Sequence, residues 1–183
     1  AGQAPEKGLN AIMLASKAIA DLKQGRLDDE TTANVGTIQC GVATNVVPAK
    51  CELMAEARSR SKEKLERQTA YMKDAFIKAA TGNGGKAEVA VTPVMSAYLL
   101  EKDSLPVVAM SKAVARIGGT PQYKQSGGGT DANFFNAYGV PTAMVAVGGG
   151  ANHTPEEYIS VAELHKAGNL VLTLIQEAAQ LKK

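Results

Sequence analysis

Cys51-Glu52-Leu53-Met54-Ala55-Glu56-Ala57-Arg58-Ser59 alternates with a period of two, so Cys51, Leu53, Ala55 and Ala57 face one way and Glu52, Met54, Glu56 and Arg58 the other. That is a strand with one covered face and one face open to water or a ligand. Immediately downstream, Ser61 is placed to cap a helix running to about Ala80, with Leu65, Met72, Phe76 and Ala80 along one side. Thr81-Gly82-Asn83-Gly84-Gly85 stops it, and a further strand is expected over 86–95 with Ala87, Val89 and Val91 as its buried set. Upstream, residues 31–42 read as a strand, and Pro48 interrupts any ladder in the connection that follows. Before that strand, Pro5-Glu6-Lys7 opens a helix whose apolar positions Leu9, Ile12, Met13, Ile19 and Leu22 keep helical spacing until Gly25. The order helix, strand, strand, helix, strand is a split βαβ unit of ferredoxin-like type without its first strand. The chain also starts without Met, and a longer parent protein is expected.

Past residue 103 the pattern changes. Leu105-Pro106 begins a helix closed by Gly118-Gly119, short strands are expected over 121–125 and 142–147, and a helix is expected between them from Ala132. The C-terminal helix opens on a capping box of Ser160 and Glu163 and carries Leu164, Ala167, Val171, Leu174, Ile175 and Ala178 as its stripe. The expected organisation is therefore an α+β domain over 1–103 followed by an incomplete α/β domain over 104–183.

The second part holds the chemistry-bearing loops. Ser126-Gly127-Gly128-Gly129-Thr130-Asp131 precedes a helix, so backbone N–H groups can approach an anion closely beside a positive helix end. It lacks the Gly-Lys-Ser/Thr ending of a Walker loop, and Ser126 has no GxSxG elbow and no histidine placed as its base. In Gly148-Gly149-Gly150-Ala151-Asn152-His153-Thr154-Pro155-Glu156-Glu157, Thr154 can cap, Pro155 suits a first helical position and Glu157 can complete a capping box. His153 thus stands on a stiff support, either as a metal ligand or as a turn-capping group. Three or four ligands are needed to hold zinc, and the chain does not offer them; Asp131 reads as the N-cap of its helix rather than a ligand. His165, beside Lys166 and off the apolar stripe, reads as a surface residue.

Composition excludes several classes. Across 183 residues, 45% hydrophobic and 21% charged content is that of a soluble globular protein. With a net charge of +2, interleaved signs, no Trp and 4% aromatics, no nucleic-acid surface is expected. No run is long enough to span a membrane and no signal peptide is evident, so a cytoplasmic address is the expectation. Cys40 and Cys51 have no CxxC spacing and read as reduced structural thiols, with a disulfide between them as the alternative.

Pro5-Glu6-Lys7-Gly8-Leu9-Asn10-Ala11-Ile12, Thr44-Asn45-Val46-Val47-Pro48, Ala55-Glu56-Ala57-Arg58-Ser59, Gly128-Gly129-Thr130-Asp131-Ala132-Asn133 and His153-Thr154-Pro155-Glu156-Glu157-Tyr158 follow one another in this order. So arranged, they resemble the cocatalytic zinc exopeptidase and amidohydrolase family of peptidase T, carboxypeptidase G and the aminoacylases, in its peptidase T-like branch. The resemblance implies that residues 1–103 are the lid or dimerisation domain and that the remainder returns to the catalytic domain. It implies His153 as the last metal ligand, Asn45 and Arg58 as lid groups holding the substrate's backbone and terminal carboxylate, and Gly128, Gly129 and Thr130 as the loop lining that pocket. It further implies a di-zinc-activated water, with no catalytic residue in this chain itself, because the family's other metal ligands, its glutamate base and its lid histidine all precede Ala1. The expected function is that of a metallopeptidase fragment, inactive alone, from an aminopeptidase on short peptides that pairs as a homodimer through its lid. An N-acyl amino acid deacylase acting on acylated amino acids, and a non-catalytic oligomerisation and carboxylate-binding module, are the alternatives.

Overall fold

A computed structural model describes residues 1–181 and divides the chain into two compact units, Ala1–Ala97 and Tyr98–Lys183. The sequence pattern places the change of domain after residue 103.

In the first unit, Pro5–Lys7 makes one 3-10 turn and the α-helix α1 begins only at Ala11–Asp21. Asn10 is the reason for the late start: it is extended at ψ 104°, and its side chain accepts from the Met13 N–H. The side of α1 that enters the core carries Leu14, Ala15 and Ala18, followed by Leu22, while Leu9, Ile12 and Met13 are exposed. Three strands follow in sheet order: β1 (Gly25–Arg26), β2 (Thr31–Cys40) and β3 (Cys51–Ser59). β2 and β3 run antiparallel from Thr31 opposite Ser59 to Cys40 opposite Cys51, with a bulge between Val35 and Thr37 at Gly36. β2 ends two residues earlier than expected because Gly41 takes φ +73° and turns the chain into the loop.

The helix α2 (Lys62–Thr81) is capped by Ser61, whose Oγ accepts from the Lys64 N–H at 3.3 Å. Its Met72 joins Leu22 and Ala33 in the core, with Leu27, Val35, Ala57, Ala75 and Phe76 packed around them. α1 and α2 cover one face of the sheet, and Tyr71 on α2 donates its hydroxyl to the Asp21 carbonyl at 2.8 Å where α1 ends. The strand expected over 86–95 does not form a ladder. Its burial alternates only at the start, with Ala87 and Val89 half-buried and Lys86 and Glu88 exposed, whereas Val91, expected in the buried set, is exposed. Pairing, however, needs a neighbouring segment, and none of the described residues supplies one.

The second unit carries α3 (Leu105–Arg116), α4 (Asp131–Ala137) and α5 (Val161–Leu181). α3 packs on α5 through Ala109 and Ala113, one turn apart, and Arg116 binds Glu177 at 3.0 Å. The strands expected over 121–125 and 142–147 are likewise without ladders among the described residues. The stripe assigned to α5 is correspondingly open: Leu164, Val171 and Ile175 are exposed, and only Ala167, Leu174 and Ala178 are half-buried. A helix stripe becomes core only where another element covers it, and α3 covers only part of this one.

Candidate functional site

Asn45 lies in the loop between β2 and β3. That loop is pinned at its base, where Cys40 and Cys51 form a disulfide, which corrects the reading of them as reduced thiols. They are directly opposed at the last pair of the ladder with Cα atoms 4.3 Å apart, a closeness that the spacing in sequence does not reveal. At its far end the loop is tied to α1, where the Ala11 N–H donates to the Pro48 carbonyl at 2.8 Å. Between these anchors Asn45 is exposed, and the neighbouring Val42 is 93% exposed.

Arg58 sits on the open face of β3, as the alternation requires. It is not a lone cation. Its Nε donates to Glu56 Oε1 and its Nη2 to Glu56 Oε2, both at 3.0 Å, with the two side chains about equally exposed at 51% and 56%. Glu56 was given no role by the motif reading, although its place two residues before Arg58 puts it on the same face.

In the second unit, Gly128 and Gly129 lead into α4, and the Gly128 N–H donates to Ser126 Oγ at 3.0 Å. Thr130, not Asp131, is the N-cap of α4 and makes a reciprocal capping box with Asn133, whose Oδ1 accepts from the Thr130 N–H at 2.9 Å. Asp131 is the first helical residue, because Thr130 is the one with extended φ and ψ.

His153 stands in a loop closed by paired bonds between Gly150 and Tyr158, with Gly150 N–H donating to the Tyr158 carbonyl at 3.0 Å and the reverse bond at 3.2 Å. The helical start expected at Thr154-Pro155 is instead a run of turns. The same residues still brace the histidine: Thr154 Oγ1 donates to the Ala151 carbonyl at 2.7 Å, and Glu157 Oε2 accepts from the His153 N–H at 3.2 Å. Ala151 at φ +54° and His153 at φ +66° both occupy the left-handed region that non-glycine residues rarely adopt. Such backbone conformations concentrate at functional positions.

The described residues contain no group of three or more His, Cys, Asp or Glu able to hold a metal ion. His153 therefore does not form a metal centre by itself, and no chemical step can be built on one from these residues. A cleft of about 540 Å³ in the second unit, bordered by Ile117, Gly119, Lys166 and Asn169, is lined by none of the candidate site residues Gly128, Gly129, Thr130 and His153. No helix among the described residues is long and apolar enough to cross a membrane.

An α+β unit with a small antiparallel sheet, helices on one face and an open face bearing Arg58 is the architecture of a peptidase dimerisation domain, and residues 1–83 match that domain of the M20 family. Over 98% of its length the chain is similar to the crystal structure of aminopeptidase PepT from Bacillus cereus, with 45% identity and a TM-score of 0.82, covering 48% of that chain. A tripeptidase from Staphylococcus aureus matches over 97% of this chain and 48% of its own, with 34% identity and a TM-score of 0.88. A dinuclear metal-binding M20 peptidase from Bacillus subtilis shares the fold, at 23% identity and a TM-score of 0.68, over 95% of this chain and 47% of its own. The uncharacterized protein YqjE of Bacillus subtilis is 42% identical over 180 residues, which are 98% of this chain and 48% of that protein. The chain fits the M20 peptidase family, in its peptidase T-like branch. It spans about half the length of the relatives it matches.

Proposed function

We propose that the chain is the lid and part of the catalytic domain of a zinc-dependent, peptidase T-like aminopeptidase acting on short peptides. The observation that carries this reading is similarity along almost the whole chain to an aminopeptidase and a tripeptidase, at 45% and 34% identity. In this reading Asn45 and Arg58 hold the substrate's backbone and terminal carboxylate, Gly128, Gly129 and Thr130 line the pocket, and His153 is one ligand of a metal pair completed by groups this chain does not carry. The metal would polarise the scissile carbonyl and activate water. This chain's own residues bind and orient: the guanidinium of Arg58 supplies paired N–H donors to a carboxylate, and the Glu157 carboxylate fixes the backbone of His153. The match to a dimerisation domain supports a homodimer assembled through the lid.

The test is hydrolysis of a tripeptide by the full-length protein, with elemental analysis for zinc. Turnover with about two zinc ions per subunit, lost on chelation and restored by zinc, is the expected result. A full-length protein that contains metal yet leaves tripeptides intact while cleaving N-acyl amino acids would replace this reading with the deacylase.

A further inference from the structure

We propose that Glu56 is a positioning residue for Arg58, clamping one edge of the guanidinium so that the other receives the substrate's carboxylate. The inference rests on the reading of Arg58 as the carboxylate-holding group. A guanidinium has five N–H donors on a rigid plane, and it meets a carboxylate either along the Nε–Nη2 side or across the Nη1–Nη2 end. In this structure Glu56 takes the side edge with two bonds of 3.0 Å. No described residue takes the end edge, and the half-exposed pair lies on the open face of the sheet. One edge is therefore clamped and the other is left for a ligand.

Two consequences follow from the charges. Glu56 and Arg58 are together neutral, so an entering carboxylate is held mainly by directed hydrogen bonds at the end edge rather than by excess positive charge. The Glu56 carboxylate repels a ligand carboxylate approaching the side edge, which leaves end-on docking and one register for the peptide's C-terminus. A free arginine would have to give up its rotamer freedom on each binding event; Glu56 holds it beforehand.

The measurement is KM and kcat of the full-length protein on a tripeptide with a free C-terminal carboxylate and on the same tripeptide as its C-terminal amide, with calorimetric affinities for both peptides. Glu56→Ala is expected to raise KM for the free acid about two- to fivefold, within the range of exposed ion pairs, with kcat and the amide unaffected. Glu56→Gln, which keeps an acceptor, should recover part of the loss. Arg58→Ala should erase the preference for the free acid, and Glu56→Ala added to it should change nothing further. If Arg58→Ala leaves that preference intact, or the protein binds neither peptide, the carboxylate reading of Arg58 fails and this inference with it. If Arg58→Ala erases the preference while Glu56→Ala leaves KM unchanged or lowers it, only the role of Glu56 fails.

Discussion

Cys40 and Cys51 close the β2–β3 ladder as its last register pair and are bonded to each other, so the loop bearing Asn45 is a ring held at its neck. Cross-linking a loop of this size removes freedom from the unfolded chain, a contribution of about 2–3 kcal/mol. The double substitution Cys40→Ser with Cys51→Ser is expected to lower unfolding stability by that amount in urea. Reductant should shift the parent protein towards the variant and leave the variant's midpoint unchanged. Identical midpoints for all samples would show that the bridge adds no stability.

Ser61 begins α2 and satisfies one of the helix's first N–H groups through its hydroxyl, while that same hydroxyl donates to Glu63 at 2.9 Å. Ser61→Ala should cost about 1 kcal/mol in urea unfolding, and Ser61→Asp, which keeps an acceptor, should cost little. An alanine variant as stable as the parent would mean that the cap is replaced by water at no loss.

These two elements mark how far the sequence could be read. The extent of β3 and most of its alternation were legible because a period of two is a property of the segment itself, although Ala55, expected on the covered face, is exposed; the Ser61 cap was legible because capping is local. Segments 86–95, 121–125 and 142–147 have strand composition, but a ladder is a relation between two segments and no described residue pairs with them. The disulfide was hidden for the same reason: only the hairpin register brings Cys40 opposite Cys51. Asn10 was a readable cap that the Pro5 signal overshadowed. Of the site, the open-face position of Arg58 was legible, whereas its side-on engagement by Glu56 depends on rotamers that no periodicity encodes.

Acid sensitivity should be concentrated where the β1–β2 turn meets α2. Lys64 Nζ binds Glu30 at 2.6 Å and Asp28 at 3.2 Å. The backbone N–H of Glu30, and then Lys64, hold the Asp28 carboxyl down from 3.8 to about 2. A depressed carboxylate contributes stability that is fully present above its ordinary value and is lost as pH falls through its folded one. The parent protein should therefore lose stability between about pH 4 and pH 2, and Asp28→Asn should flatten that part of the profile while being less stable at pH 7. Equal slopes for both proteins across this window would remove Asp28 from the acid response.

Gly149 decides whether the His153 loop can close. At φ +90° it adopts a conformation that side chains disfavour, and a Cβ there would lie 2.6 Å from the carbonyl oxygen of Tyr158. That oxygen accepts the Gly150 N–H, so the backbone cannot retreat without breaking the bond that closes the loop. Gly149→Ala thus combines a strained φ with a backbone clash, and a cost of about 1–3 kcal/mol is expected, borne locally rather than by the whole fold. Hydrogen exchange should show faster exchange of the Gly150 and Tyr158 amides in the variant, with the amides of β2 and β3 unchanged. Because His153 reaches its own left-handed φ inside that ring, its proposed role as a metal ligand predicts that metal affinity of the full-length protein falls in Gly149→Ala as loop closure is lost. His153→Ala should lower that affinity while leaving the two amides protected. Unchanged exchange at Gly150 in Gly149→Ala would mean that the loop tolerates the methyl group by another route, and that its closure does not depend on glycine.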